Sequence, residues 1–240
     1  MLRLFRTTRW IRGCTHTRGT AWHTSTPTRD GVLDQGASYY APKSFLAPGN
    51  RRILWGWLRE TRPEAEFAAA GWSGVMSLPR VLTVNNDGEL EMNPAIEIEA
   101  LRGPQQSSTL QPGAPLEQTL ITLRRELFVP LTDAKLKMAI RLLTEGSAVW
   151  ELLVDASAQL FTCGTTRFAL PLSSKPEDAL RIFIDASVIE CLIASREALT
   201  SRVYNVVPGK TQLQIELLSG TSLELKQWPL AAISPDRLTT

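Results

Sequence analysis

The chain has 240 residues, 43% of them hydrophobic, which is enough to bury one substantial core or two modest ones. Its 26 Lys and Arg residues nearly balance 24 Asp and Glu residues, so the net charge of +2 argues against a nucleic acid or an acidic membrane surface as partner. Three widely spaced cysteines indicate neither a disulfide framework nor a zinc site, and no apolar run is long enough to cross a bilayer. We therefore expect no metal or other cofactor, no nucleic acid and no membrane partner.

The N-terminal segment, residues 1–29, differs from the rest of the chain. Residues 1–20 are rich in Arg and Thr, carry no acidic residue and lack the apolar stretch of a secretory signal, which predicts a cytoplasmic location. The same composition also fits an organelle transit peptide or a degraded strand. His16 and His23 lie in this segment, and nothing in the pattern positions either as a base.

Strand signals dominate from residue 39 onward. Residues 39–45 and 51–58 are short aromatic and branched runs on either side of the turn-forming cluster Ala47-Pro48-Gly49-Asn50, which predicts a hairpin. A second hairpin is predicted over 81–92, around Asp87-Gly88. The predicted helix is short, over residues 63–70, where Pro suits a first turn and Glu and Ala favour helix.

The second half of the chain follows a segment, 103–115, that is dense in Gly, Pro, Ser and Gln and is therefore predicted to be a linker. Beyond it the alternation of apolar and polar residues predicts an antiparallel β-sandwich. The predicted strands are 135–143, 148–155, 179–185, 188–194, 198–206, 212–218 and 222–228.

An acid followed by aromatic strands is the most informative local pattern. Residues 34–45 begin with Asp34 and include Tyr39 and Tyr40, and residues 51–58 end in a Trp-Gly-Trp strand. Aromatic rings stack on the CH faces of sugars, while carboxylates bind the sugar hydroxyls. The pattern is compatible with a sugar-binding sheet edge, although aromatic residues on strands are more often part of a core.

Several motifs in a fixed order resemble glycoside hydrolase family 32, the invertase and fructan hydrolase family. Residues 34–45 are similar to its D-x-G-x-x-F-Y-A-x-x-x-F segment and residues 51–58 to the adjoining G-W strand. Residues 70–80 resemble G-W-x-G-x-x-S-L-P-R, 180–190 resemble F-x-D-x-S-x-x-E, and 199–204 resemble T-x-R-x-Y. The order holds from about Asp34 to Leu238, so the chain is identified as a member of this family.

The resemblance implies an all-β protein: part of a five-bladed β-propeller, about one blade plus remnants, followed by an antiparallel β-sandwich. Its expected divisions are a degraded or non-native segment at 1–29, the last propeller blade at 30–102, the linker at 103–115 and the sandwich at 116–240. It also implies that Gly36 and Gly56 allow the chain to turn or approach closely.

The motifs that carry catalysis in this family are missing from the sequence. Family members use an Asp nucleophile in W-x-N-D-P-N-G, a stabilising Asp in R-D-P and an acid in an E-C segment, in a retaining mechanism with two carboxyl groups about 5 Å apart. Glu190-Cys191 is an E-C pair inside the sandwich motif, where we interpret Glu190 as a structural, solvated or paired acid. We therefore predict no catalytic residue in this chain.

The resemblance implies contact roles for three residues: Asp34 and Tyr40 near the mouth of a sugar pocket, and Trp57 lining a fructosyl subsite. The implied activity is hydrolysis of β-fructofuranosides, sucrose or fructans, with this chain truncated and inactive alone. The alternative is a noncatalytic carbohydrate-binding or interaction module, or a fragment that complements a split fructosidase. In that case another protein chain pairs with the exposed edges of the blade.

Overall fold

The computed structural model describes residues 2–4, 9–12, 29–86, 88–169, 172 and 178–233, with side chains from residue 31 onward. The described residues form twenty strands, one α-helix, α1 (Glu64–Ala70), and 3-10 turns at Pro48–Asn50 and Ile96–Leu101. In chain order the strands are β1 (Leu2–Leu4), β2 (Arg9–Arg12), β3 (Arg29–Val32), β4 (Tyr39–Ala47), β5 (Arg51–Leu58), β6 (Val75–Met76), β7 (Arg80–Val84), β8 (Leu90–Pro94), β9 (Gln106–Leu110), β10 (Leu116–Thr119), β11 (Arg124–Pro130), β12 (Lys137–Thr144), β13 (Ser147–Asp155), β14 (Leu160–Cys163), β15 (Thr166–Ala169), β16 (Ala179–Asp185), β17 (Val188–Ile193), β18 (Glu197–Arg202), β19 (Thr211–Ser219) and β20 (Leu223–Pro229).

The blade is an antiparallel sheet in the order β4-β5-β7-β8, with the short β6 also paired to β5. The predicted hairpin between β4 and β5 is confirmed, and its turn places Gly49 and Asn50 at φ 74° and 59°. Gly and Asn are the residues that adopt this left-handed conformation most readily. Of the second predicted turn, Asp87 lies outside the described residues, while the flanking β7 and β8 pair as expected.

A separate three-stranded antiparallel sheet, β1-β2-β3, precedes the blade. Two of its strands lie within residues 1–29, the segment that the sequence analysis sets apart as degraded. Trp10 and Ile11 of that segment are in β2, in register with Gly31 and Asp30.

The sandwich consists of two six-stranded sheets, β10-β19-β12-β13-β14-β15 and β18-β17-β16-β11-β20-β9. Each named pair of strands in the described chain is antiparallel, which confirms the predicted all-β class. The core between the sheets is built from buried Leu, Ile, Val and Phe side chains, Phe161 and Phe168 being stacked at 5.5 Å between ring centroids.

Strand β9 lies inside residues 103–115, the segment predicted to be a linker. It pairs with β20 over five residues and forms the edge of one sandwich sheet. Its sequence, Gln-Ser-Ser-Thr-Leu, is mostly polar because an edge strand turns much of its surface to solvent. The unit that follows the blade therefore begins before the end of the predicted linker.

Helix α1 confirms the predicted helix at 63–70. It begins after Pro63 and ends at Gly71, whose φ of 73° is the left-handed conformation that glycine favours at helix ends. None of its residues is buried, so it lies on the surface of the blade. No helix among the described residues is long and apolar enough to span a membrane.

The blade and the sandwich share one apolar cluster. Leu33, Leu54 and Met92 of the blade side pack in the same buried cluster as Phe183 and Leu192 of β16 and β17. Two backbone hydrogen bonds join the same surfaces, from the N–H of Gln35 to the carbonyl of Ala198 and from Met92 to Ser195. This shared cluster fixes the position of the blade against one sandwich sheet.

Candidate functional site

A buried polar cluster, the interface cluster of Asp34, Arg80, Glu190 and Thr200, lies inside this apolar contact. Asp34 follows β3 and Arg80 begins β7, while Glu190 and Thr200 lie on β17 and β18 of the sandwich. All four residues are at most 2% exposed. Because charged side chains are rarely buried without partners, each of these groups needs hydrogen bonds from neighbouring protein groups.

The Nη2 atom of Arg80 is the centre of the interface cluster. It lies 2.6 Å from Glu190 Oε2, 2.9 Å from Asp34 Oδ2 and 2.9 Å from Thr200 Oγ1. The remaining carboxylate oxygens accept backbone hydrogen bonds: Glu190 Oε1 from Leu78, and Asp34 Oδ1 from Gly36 and Thr200. One guanidinium therefore joins a blade carboxylate to a sandwich carboxylate.

Electrostatics in the interface cluster follow from burial and from the pairing. Burial alone would lower the pKa of Arg80, but the neighbouring carboxylates Asp34 and Glu190 raise it, so the guanidinium stays charged. Burial raises the pKa of Glu190, although the Arg80 charge opposes that change. Tyr39 packs its ring 4.5 Å from the Arg80 guanidinium carbon, and burial raises the pKa of this tyrosine to about 12.

Two glycines allow close approach here, Gly36 to the sandwich backbone and Gly56 to the Tyr39 ring within the blade. A Cβ at Gly36 would lie 1.9 Å from the carbonyl oxygen of Thr200, and a Cβ at Gly56 would lie 2.2 Å from the Tyr39 ring. Both distances are far below van der Waals contact, so the predicted structural role of these glycines is confirmed.

A second contact between blade and sandwich is formed by Arg62 and two aromatic rings. Its guanidinium lies 4.3 Å from the Trp72 ring centroid and 4.6 Å from that of Tyr204, which follows β18. Arg62 also donates two hydrogen bonds to Glu60, and these bonds hold the pKa of Glu60 well below its usual range. The stack ties the loop before α1 to the sandwich.

The exposed aromatic face of the blade, Tyr40 and Trp57, lies outside the buried interface. The two residues are register partners on β4 and β5, and their rings meet edge to face with centroids 6.2 Å apart. Tyr40 is 42% and Trp57 is 41% exposed, and the Arg59 guanidinium lies 5.1 Å from the Tyr40 ring. Gly74 approaches Trp57 so closely that an added Cβ would lie 2.4 Å from the indole nitrogen.

The structure separates the three predicted sugar contacts into two environments. Tyr40 and Trp57 share the exposed aromatic face, whereas the Asp34 carboxylate is buried in the interface cluster with both oxygens bonded to protein groups. The sugar-contact roles stay predictions. The arrangement gives Asp34 an observed role in joining blade to sandwich, because its bonds to Thr200 cross that boundary.

Glu190 is paired, as the sequence analysis predicted, but its principal partner was not foreseen. Arg80 belongs to the segment similar to S-L-P-R and Thr200 to the one similar to T-x-R-x-Y. A buried acid within one motif needs a cation from somewhere in the fold, and Arg80 and Arg202 are the arginines of the two segments just named. That requirement was the available signal for the pair.

The carboxylates Asp34 and Glu190 come close to the spacing of a glycosidase pair without being suited to the reaction. Both bond to the same Nη2 atom, so they lie within two hydrogen-bond lengths of each other, near the roughly 5 Å of retaining enzymes. A nucleophile and an acid must reach a substrate, and these two groups are buried around a permanent cation. Among the described residues no group of three or more His, Cys, Asp or Glu side chains is arranged to hold a metal ion.

Comparison with known proteins places these features in a family. The model of the Glycosyl hydrolases family 32 N-terminal domain matches residues 6–94, and that of the family 32 C terminal matches residues 97–229. Sucrose-6-phosphate hydrolase of Escherichia coli is 31% identical over 187 residues, 72% of this chain and 38% of that protein. Fructan 1-exohydrolase w3 of Triticum aestivum is 46% identical over 72 residues, 29% of this chain and 12% of that protein.

Solved structures share the fold. A glycoside hydrolase family 32 protein of Bifidobacterium adolescentis superposes with a TM-score of 0.72 at 22% identity, over 94% of this chain and 36% of that one. A variant of the Bombyx mori β-fructofuranosidase in complex with sucrose superposes with a TM-score of 0.69 at 19% identity, over 86% of this chain and 44% of that one. The chain thus spans less than half the length of each of these relatives. Since the two family models together match nearly all of it, the chain belongs to glycosyl hydrolase family 32.

Proposed function

We propose that this chain is the carboxyl-terminal part of a β-fructofuranosidase-type glycosidase and contributes an aromatic contact surface for a β-fructofuranoside. The family membership and the names of its relatives, a sucrose-6-phosphate hydrolase and a fructan exohydrolase, support this reaction class. The observation that carries the proposed role is the exposed aromatic face. Tyr40 and Trp57 are register partners with about two fifths of each residue open to solvent.

The aromatic face has the chemistry of a sugar platform. Two edge-to-face rings present an apolar surface on which the CH groups of a sugar stack, and indole and phenol groups add polar handles for hydroxyls. Arg59 beside Tyr40 supplies further hydrogen-bond donors. Gly74 and Met76 lie directly beside Trp57, Gly74 close to the indole nitrogen and Met76 as the register partner of Trp57 on β6.

The chemical step is not assigned to this chain. Its two close carboxylates, Asp34 and Glu190, are buried around Arg80, and a retaining glycosidase needs one carboxylate free to attack and one acid free to protonate the leaving oxygen. We therefore propose that the chain alone binds the sugar weakly and does not hydrolyse it. The nucleophile and the acid would be supplied by sequence other than the described residues.

Titration calorimetry with sucrose and with a short inulin oligosaccharide tests the contact role. We expect Trp57→Ala to weaken binding roughly tenfold, which corresponds to about 1.4 kcal/mol, because it removes one of the two stacking rings. Phe45→Ala is the matched control, since Phe45 is a 53% exposed aromatic residue near the other end of β4. Equal binding by the Trp57 variant and the unmodified chain would refute the contact role.

A second candidate function is noncovalent complementation of a separate propeller fragment. It is favoured by the position of β4 at the edge of the blade sheet, with Phe45 and Leu46 more than half exposed. Unpaired strand edges with exposed apolar side chains are surfaces on which other strands or sheets pack. Mixing this chain with the N-terminal half of a family member should then restore sucrose hydrolysis that neither piece has alone.

A further inference from the structure

A buried arginine without a carboxylate partner lies at the open edge of the sandwich. Arg125 on β11 alternates with Leu127 and Val129, which belong to the sandwich core, and it is 6% exposed. Alternate residues of a strand point to the same face, so Arg125 points between the two sheets. It is therefore a permanent positive charge at the end of an apolar core.

Three glutamines from both sheets surround this guanidinium. Nη1 of Arg125 donates to the side-chain oxygens of Gln227 at 2.6 Å, Gln118 at 3.2 Å and Gln106 at 3.4 Å. Gln106 and Gln227 lie on β9 and β20 of one sheet, and Gln118 lies on β10 of the other. Because β9 and β10 are edge strands, the group closes the open side of the sandwich.

The charge of Arg125 is not balanced by an acid of the described chain. Its hydrogen bonds all go to neutral amides, and burial lowers the pKa of Arg125 with no opposing contribution from a carboxylate. Three other arginines have carboxylate partners: Arg102 and Arg181 pair with Glu126, and Arg80 pairs with Asp34 and Glu190. An uncompensated buried charge is costly, so this site favours a counter-ion from solution.

The unused donors of the cluster are those that bind anions. Nε of Arg125 is buried and has no hydrogen-bond partner. Its N–H lies on an edge of the guanidinium that can donate two parallel hydrogen bonds to an oxyanion. The amide oxygens of the glutamines face the arginine, which leaves their NH2 groups as further donors. Gln106 is exposed and makes the longest of the three bonds, so its side chain is the one that can move aside to admit an ion.

We propose that Arg125, Gln118 and Gln227 form a binding site for a small inorganic anion, chloride or a tetrahedral oxyanion, at the open edge of the sandwich. The bound ion neutralises the guanidinium and joins β20 of one sheet to the edge strand β10 of the other through Gln227 and Gln118. The ion stabilises the sandwich, and its binding does not involve the sugar contacts proposed for the aromatic face of the blade.

Thermal unfolding of the full chain in matched salts tests the site. Sodium gluconate is the reference, and it is replaced at constant ionic strength by sodium chloride or by inorganic phosphate. Binding to the folded state raises Tm by mass action, and we expect a rise of roughly 2–4 °C at 100 mM of the preferred anion. The two salts distinguish a halide site from an oxyanion site.

Variants assign the effect to Arg125. Arg125→Gln should abolish the anion-dependent rise in Tm. Arg125→Lys keeps the charge but loses the forked donors, and it should reduce the rise at least by half; it serves as the test if Arg125→Gln does not fold. Arg141→Gln is the control, because Arg141 already pairs with Glu151 and Glu216, and it should keep the full rise. No rise in the unmodified chain, or an equal rise in the Arg125 variants, would overturn the proposal.

Discussion

Replacing Arg80 with methionine removes the cation that joins the blade to the sandwich. The substitution keeps a long side chain in the same space but deletes the hydrogen bonds from Nη2 to Glu190, Asp34 and Thr200. It also removes the contact with the Tyr39 ring. Two carboxylates, whose side chains are 0% and 3% exposed, then face each other without a counter-charge.

The expected loss of stability is large for a single substitution. Removing one partner from a buried ion pair costs about 3–5 kcal/mol, because the remaining charge keeps its desolvation penalty without its compensation. Domains of ordinary stability have unfolding free energies of about 5–15 kcal/mol, so the loss is about a fifth or more of the total. Since burial favours the protonated form of Glu190, the variant should recover part of this loss as the pH falls toward the ordinary pKa of glutamic acid.

Urea unfolding followed by tryptophan fluorescence and by circular dichroism measures the effect. Arg51→Met is the matched control, because the Arg51–Glu97 pair is solvent-exposed and should contribute little to stability. We expect the Arg80 variant to lose its blade structure first, giving two separate transitions. A loss in the Arg80 variant no larger than that of the control would refute the role of the interface cluster in joining the blade to the sandwich.

Further predictions concern groups at the same interface. Burial raises the pKa of Tyr39 to about 12, so the stability it contributes is complete below pH 10 and is lost as the pH rises toward 12. Tyr39→Phe should therefore reduce the fall in the free energy of unfolding between pH 10 and 12 by about 2–3 kcal/mol, measured by urea unfolding at each pH. Gly36→Ala should cost roughly 3 kcal/mol in urea unfolding, since its Cβ would overlap the backbone of Thr200. Gly49→Ala should cost only about 1 kcal/mol, because a φ of 74° is strained for alanine but the space around the residue is open. Equal losses for the two variants would contradict the close approach of Gly36 to Thr200.

Strands with regular alternation were predictable from the sequence. The boundaries of β5 and β16 match the predicted 51–58 and 179–185, because apolar residues and turn signals define both ends. Strand β11 was missed, although most of its residues are buried. It opens with Arg124-Arg125-Glu126, a charged run that suggests a loop, and Glu126 is buried only because Arg102 and Arg181 reach it from elsewhere in the chain.

The candidate site was predictable in part. The pairing of the two aromatic rings could be foreseen only in part, because the register set by the hairpin turn would place Ala41 opposite Trp57. A bulge between Tyr40 and Lys43 shifts the register and brings Tyr40 there instead. The environment of Asp34 could not be foreseen, since its partner Thr200 lies 166 residues away and the pairing depends on how blade and sandwich pack. A single sequence identifies a charged residue but does not show which distant residue will neutralise it.

The most direct test of the account is sucrose hydrolysis by the purified chain, measured as released reducing sugar beside folded Asp34→Asn and Glu190→Gln variants. We expect no hydrolysis by any of the three proteins, because the two carboxylates are buried around Arg80 and serve the interface. Hydrolysis by the unmodified chain that disappears in either variant would contradict it and would make that carboxylate a catalytic group.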